Sequence, residues 1–158
     1  MTAAAPTVST VFVESFCELF EGVPAGQPTW VTSGGPEGGL YHSLARLSAA
    51  QASVIMGNTS VAAHTTHLIF AIRLVNDWDA GQEPISDWAS SWQVKQVDGQ
   101  EWERLQAELR SQAEALLAGP AARLDWSSPE FARYGFSSLA HTAYHLGVIR
   151  HMISQLEA

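Results

Sequence analysis

The chain has 158 residues, of which 46 % are hydrophobic and 15 % charged, a balance that fits one domain with a real core. Eight basic against 16 acidic residues give a net charge of −8, with a single lysine, Lys95, so neither a nucleic-acid partner nor an anionic membrane surface is expected. Cys17 is the only cysteine, which excludes an intrachain disulfide and fits a reducing, cytoplasmic setting. The N-terminal stretch MTAAAPTVSTVFVESF lacks the basic start and apolar core of a secretory leader.

In chain order, the first helix is expected over about Ser9 to Glu21. Phe12, Phe16, Leu19 and Phe20 recur at helical spacing, while Glu14, Glu18 and Glu21 read as a solvated stripe. Gly22 and Pro24 stop it. Residues 23–58 are the least regular part, with a short helix expected over Leu40 to Leu47 that carries Tyr41, His42 and Leu44. A second long helix starts after the cap cluster Asn58, Thr59 and Ser60 and runs to about Trp78 or Ala80. Its apolar face holds His64, His67, Leu68, Ala71, Leu74, Val75 and Trp78. Residues 81–97 read as loop with a turn or two of helix. The third helix opens on Asp98 and Glu101, a capping-box pair, and steps through Trp102, Leu105, Leu109, Ala113 and Leu116 to a stop at Gly119-Pro120. The fourth is expected from Ser137 or Ser138 almost to the C-terminus, with His141, Tyr144, His145, Val148, Met152 and Leu156 on one face. No segment alternates as a half-buried strand does. The expected fold is all-α, a four-helix bundle with long irregular connections.

The chemistry is concentrated in two histidine pairs on apolar helix faces: His64 and His67, three residues apart, and His141 and His145, four apart. Several imidazoles in one core are costly unless their ring nitrogens find partners. A divalent metal supplies one, and bundle cores build metal sites from facing helices in this way. A lone histidine on such a face is more often a satisfied core residue, so the weight lies on the two pairs together. Cys17 has no basic neighbour and reads as a structural thiol. Gly34-Gly35 and Gly38-Gly39 follow no strand and lack the Lys-Ser/Thr of a phosphate loop. The tryptophans read as core anchors and loop plugs, and His42 as a surface residue.

The segment AHTAYHLGVIRHMI at 140–153 resembles the last-helix motif of the DinB-like superfamily, which includes YfiT-like metal-dependent hydrolases. His141 and His145 match its two histidines, and Gly147 and Ile149 its glycine and isoleucine; Val148 stands where the family usually has glutamine. SVAAHTTHLIF at 60–70 resembles the second helix, where one histidine follows two turns after a Ser or Thr. The resemblance implies an up-down-down-up four-helix bundle in which His67, His141 and His145 hold a divalent ion, with zinc or nickel foremost. His64, one turn before His67, is the alternative ligand or a neighbour that backs one. It also implies a metal-dependent hydrolase, or a transferase or isomerase using a low-molecular-weight thiol such as mycothiol or bacillithiol, acting on a small molecule and in several relatives as a homodimer. Spacing names no carboxylate as general base, and His64 is the only candidate. Residues 23–58 and 81–97 are expected to shape the mouth of the site. The rival reading is a non-catalytic bundle with a vestigial histidine cluster, acting as a dimer or through a partner bound by exposed loop aromatics.

Overall fold

The computed structural model describes residues 7–157, so the first six residues of the stretch weighed as a leader lie outside it. Helix α1, Val8–Glu21, opens where the Thr7 hydroxyl accepts the Thr10 N–H at 3.1 Å and ends at Gly22, whose φ of 79° suits a residue without a Cβ. The long connection contains a 3-10 turn at Gly35–Gly38 and two short helices, α2 at Leu40–Ala45 and α3 at Ala49–Ala52. Helix α4 spans Val61–Asp79, α5 Gly99–Ala118, α6 Pro120–Arg123 and α7 Pro129–Leu156. The fold is all-α; among the described residues the one β-type pairing is an isolated bridge between Met56 and Thr59. No helix there is long and apolar enough to cross a membrane.

The caps read from sequence form as expected. Ser60 opens α4, its hydroxyl accepting the Ala63 N–H at 3.1 Å while donating to the Lys95 carbonyl at 2.6 Å, which ties the 81–97 segment to the start of that helix. The Asp98–Glu101 capping box closes in both directions, at 2.8 and 2.9 Å.

Helix α7 corrects the expected boundary. It has 28 residues and begins at Pro129, about two turns before Ser137, because Pro fits the first turn of a helix, where no N–H is needed. Gly135, which argues against helix by propensity, is buried there for a steric reason. A Cβ at that position would stand 2.9 Å from Leu124 Cδ1 and 3.2 Å from both the Phe12 and Trp126 rings.

Helix α4 packs against α5 and α7, and α1 packs against the same two. Asn76 of α4 donates to Gln112 of α5 at 2.8 Å, and Asp79, at the end of α4, pairs with Arg123 just past the end of α5, so these two helices run in the same direction. Across α4 and α7 the order reverses: Trp78 meets Phe131 and Tyr134, and His67 meets His141. The start of α1 lies beside the start of α7, where the Trp126 indole donates to Ser9 at 2.8 Å and packs on Phe12. One end of the fold therefore collects the starts of α1 and α7 and the ends of α4 and α5. The core between them is built from Phe12, Phe16, Leu19 and Phe20 of α1, Leu68, Ile72 and Val75 of α4, Trp102, Leu105, Leu109 and Leu116 of α5, and Leu146, Ile149 and Met152 of α7.

Three patterning expectations change. The buried stripe of α4 is wider than the sequence face, taking in Val61, Ile69 and Ile72, because α4 is covered from two sides, while Trp78 at its end is 49 % exposed. Tyr144 of α7 is 63 % exposed rather than interior. Glu18 is not on a solvated stripe: it is buried, and its carboxylate accepts the N–H groups of Trp30, Val31 and Thr32 at 3.0, 2.8 and 2.6 Å and the Thr32 hydroxyl at 2.9 Å. Burial alone would raise its pKa, but those donors outweigh it and hold the carboxyl below its usual value. Glu18 is the peg on which the first part of the long connection hangs.

Candidate metal centre

Because α4 and α7 run in opposite directions, residues that rise along one helix descend along the other. His67 thus comes opposite His141, and His64 opposite His145. Nε2 of His67 lies 3.1 Å from Nε2 of His141, and Nε2 of His145 lies 2.9 Å from that same atom. His67, His141 and His145 each offer one ring nitrogen to a group whose atoms all lie within 4.8 Å of one another. Nitrogens about 2.0–2.1 Å from a zinc ion stand about 3.3 Å apart at the tetrahedral angle and about 2.9 Å apart at a right angle. The two distances to His141 Nε2 fall in that range.

The far nitrogens are engaged in ways that define what the near ones do. The Ser91 hydroxyl donates its single proton to the Trp88 carbonyl at 2.7 Å. Its contact with Nδ1 of His67, also 2.7 Å, must then be made by the imidazole N–H donating to Ser91. That fixes the tautomer of His67 and leaves its Nε2 lone pair facing the cluster. His145 is backed by His64, Nδ1 to Nδ1 at 2.8 Å, with one proton shared between them. Trp92 stacks on the His67 ring, centroids 4.0 Å apart and planes 21° apart, and meets His64 edge-on at 5.1 Å.

His141 carries at most one proton on Nε2, and a linear hydrogen bond from or to it satisfies only one of its two close neighbours. In the neutral arrangements either one His141 N–H is divided between two acceptors, or one contact is left as two facing lone pairs or two facing N–H groups. A cation at the meeting point turns all three Nε2 atoms into ligands and removes the conflict. The rings are also kept in the neutral form that a metal requires. Burial, reinforced by the neighbouring imidazoles, lowers His145 to about 3 and His67 to about 4. Burial also lowers His141 and His64.

His64 stands behind His145 rather than in the group of three, and its own Nε2 is buried without a hydrogen-bond partner among the described residues. His42, on α2, and His151, exposed near the end of α7, take no part. Cys17 is half-buried, and burial together with Glu21 and Glu14 raises its thiol pKa, the opposite of nucleophile activation. The sequence does not single out Ser91 or Trp92 as supports of the cluster. The only local signal is the pair of tryptophans, Trp88 and Trp92, in a segment otherwise poor in apolar residues.

A cavity of about 690 Å³ opens beside the cluster, with His141 in its wall and Trp88, Phe131, Tyr134 and Trp78 among its lining. The 81–97 segment contributes Pro84, Ser86 and Trp88 to it, as expected of a mouth-shaping loop. Residues 23–58 contribute nothing to it, which corrects that half of the expectation: the connection is drawn instead onto α1 by Glu18. Compared with family models, curated proteins and solved structures, the chain matches none of them.

Proposed function

We propose that the chain is a DinB-like, metal-dependent enzyme in which His67, His141 and His145 bind one divalent ion, zinc or nickel. The observation that carries the reading is the meeting of three Nε2 atoms at two short contacts, for which neutral rings offer at most one linear hydrogen bond. The directions of the four long helices support the up-down-down-up bundle that goes with it. A bound divalent ion with three protein ligands keeps room for a further one and lowers the pKa of a water or thiol there, which is the chemistry of a hydrolase or of a thiol-dependent transferase. The chain's own contribution is positioning: Ser91 orients His67, His64 backs His145, and Trp88 and Trp92 shield the imidazoles. The setting we assign is cytoplasmic.

The test is calorimetric titration of metal-stripped protein with zinc. One ion per chain is expected, with a loss of at least 100-fold in affinity for His67→Ala, His141→Ala and His145→Ala and about tenfold for His64→Ala. Equal affinity in the wild type and His141→Ala overturns the reading. Loss in His64→Ala but not in His67→Ala reassigns the ligand on α4. A second reading, a partner-binding or dimeric bundle, draws on Trp30 and Ile85, which are 85 % and 87 % exposed on the loops. Under it, the histidine substitutions leave assembly in solution unchanged while Trp30→Ala or Ile85→Ala disrupts it.

A further inference from the structure

The larger cavity has a shape and chemistry of its own. Along α7 its wall runs from Glu130 to Thr142, a rise of about 18 Å at 1.5 Å per residue, so it is long. A second hollow of about 450 Å³ shares Phe16, Trp78, Phe131 and Tyr134 with it and extends it toward Arg123 and Asp125. The larger volume lies in the usual range for a small-molecule site.

The lining is apolar and aromatic along its length, and no lysine or arginine contributes to it. Its hydroxyls are few for its length: Ser86, Tyr134, Ser137, Ser138 and Thr142, of which Thr142 is committed to the Ser138 carbonyl at 2.9 Å. Apart from His141 and the Tyr134 phenol its only ionisable group is the carboxyl of Glu130, at the far end, which forms no ion pair among the described residues. In the adjoining hollow the single cation, Arg123, is already paired with Asp79, and Asp125 is held as an anion by the Ser127 hydroxyl and N–H. A molecule rich in hydroxyls finds few partners here, and an anion finds no counter-charge.

We infer that the reactant delivered to His141 is an elongated, uncharged, largely apolar molecule, its body lying between α4 and α7 along Trp78, Phe131 and Tyr134 and its small polar head at the histidine end. Only the word reactant rests on the proposed metal centre; the binding preference rests on the cavity. A sugar-bearing thiol does not match this lining, so the cavity assigns such a thiol, if one is used, to another approach.

The experiment uses metal-stripped, full-length protein and follows the fluorescence of its tryptophans, two of which, Trp78 and Trp88, line the cavity. 1-Decanol is expected to give a saturable change at one per chain, and decanoate at pH 8 to bind at least tenfold more weakly. Ala71→Phe, which fills the cavity from α4, and Ser137→Trp, which fills it from an exposed position on α7 and so spares the core, are each expected to weaken decanol at least tenfold. Glu130→Gln is expected to narrow the gap between the two probes. Decanoate binding as tightly as decanol, the absence of saturable binding, or unchanged binding by Ser137→Trp overturns the inference. Decanol is titrated without metal and zinc is titrated without decanol, so the two bindings are read separately. Decanol binding without zinc binding therefore defeats the metal reading alone, and zinc binding without decanol binding defeats the cavity reading alone.

Discussion

Acid should unfold the metal-free protein early, and the histidine cluster sets by how much. His67 and His145 are 5 % and 2 % exposed, and the fold holds them at about 4 and about 3 against an ordinary value of 6.5. A depressed histidine pKa means that the unfolded chain takes up protons that the folded chain refuses. Stability is therefore complete above pH 6.5 and is lost as the pH falls from there toward 4 and 3. At pH 5 the medium is 1.5 units below the unfolded value, which at about 1.4 kcal/mol per unit costs about 2 kcal/mol for each histidine, or about 4 kcal/mol for the two. His141 and His64 add in the same direction. The carboxylates with shifted values, Glu18 and Asp125, are held below 4.5 and 3.8 and stay silent in this window. With a urea dependence of about 2 kcal/mol per molar, the midpoint should fall by about 2 M between pH 7 and pH 5. The assay is urea unfolding of chelator-treated protein at the two pH values, alongside a His67→Gln, His145→Gln double variant, in which most of the dependence should vanish. Equal midpoints in the wild type at pH 7 and pH 5, or an undiminished dependence in the double variant, would refute the burial and neutrality assigned to these rings.

Three further outcomes follow from single contacts. Ser91→Ala removes the acceptor that fixes the tautomer of His67 and should weaken zinc affinity 10- to 100-fold in a competition titration, with the helical circular dichroism unchanged. Glu18→Gln discharges the carboxylate that gathers three N–H groups and a hydroxyl, and should destabilise the fold by about 2 kcal/mol in urea at pH 7. The two glycines of α7 should respond oppositely: Gly147→Ala, with open space around it, should gain about 0.5–1 kcal/mol, whereas Gly135→Ala should lower the melting temperature because its methyl meets Leu124 and two rings.

What was legible in the sequence was whatever rests on local chemistry. The starts of α4 and α5 could be placed because Ser60, Asp98 and Glu101 are caps whose partners lie three residues away. The apolar stripe of α5, from Trp102 to Leu116, is the buried stripe of the fold. The histidine pairs stood out because imidazoles on an apolar helix face need a reason, and α4 and α7 do bring three of them together. What depends on distant contacts was not legible. Glu18 has the spacing of a solvated residue, and only the return of residues 30–32 onto α1 makes it a buried acceptor. Gly135 looks like a break until Phe12 and Trp126 are seen to need the room. The division of labour between His64 and His67 follows from the antiparallel pairing of α4 with α7, which places one opposite the near nitrogen of its partner and the other opposite the far one. Ser91 reaches His67 across 24 positions, beyond the range of any local pattern.

The central claim is best tested by X-ray absorption at the zinc edge of protein loaded with one ion per chain. Three nitrogen scatterers at about 2.0–2.1 Å with the outer-shell pattern of imidazole are expected, falling to two or to no bound zinc in His141→Ala. Bound zinc that shows no imidazole scattering, or the same shell in the wild type and in His141→Ala, would contradict a centre built from His67, His141 and His145.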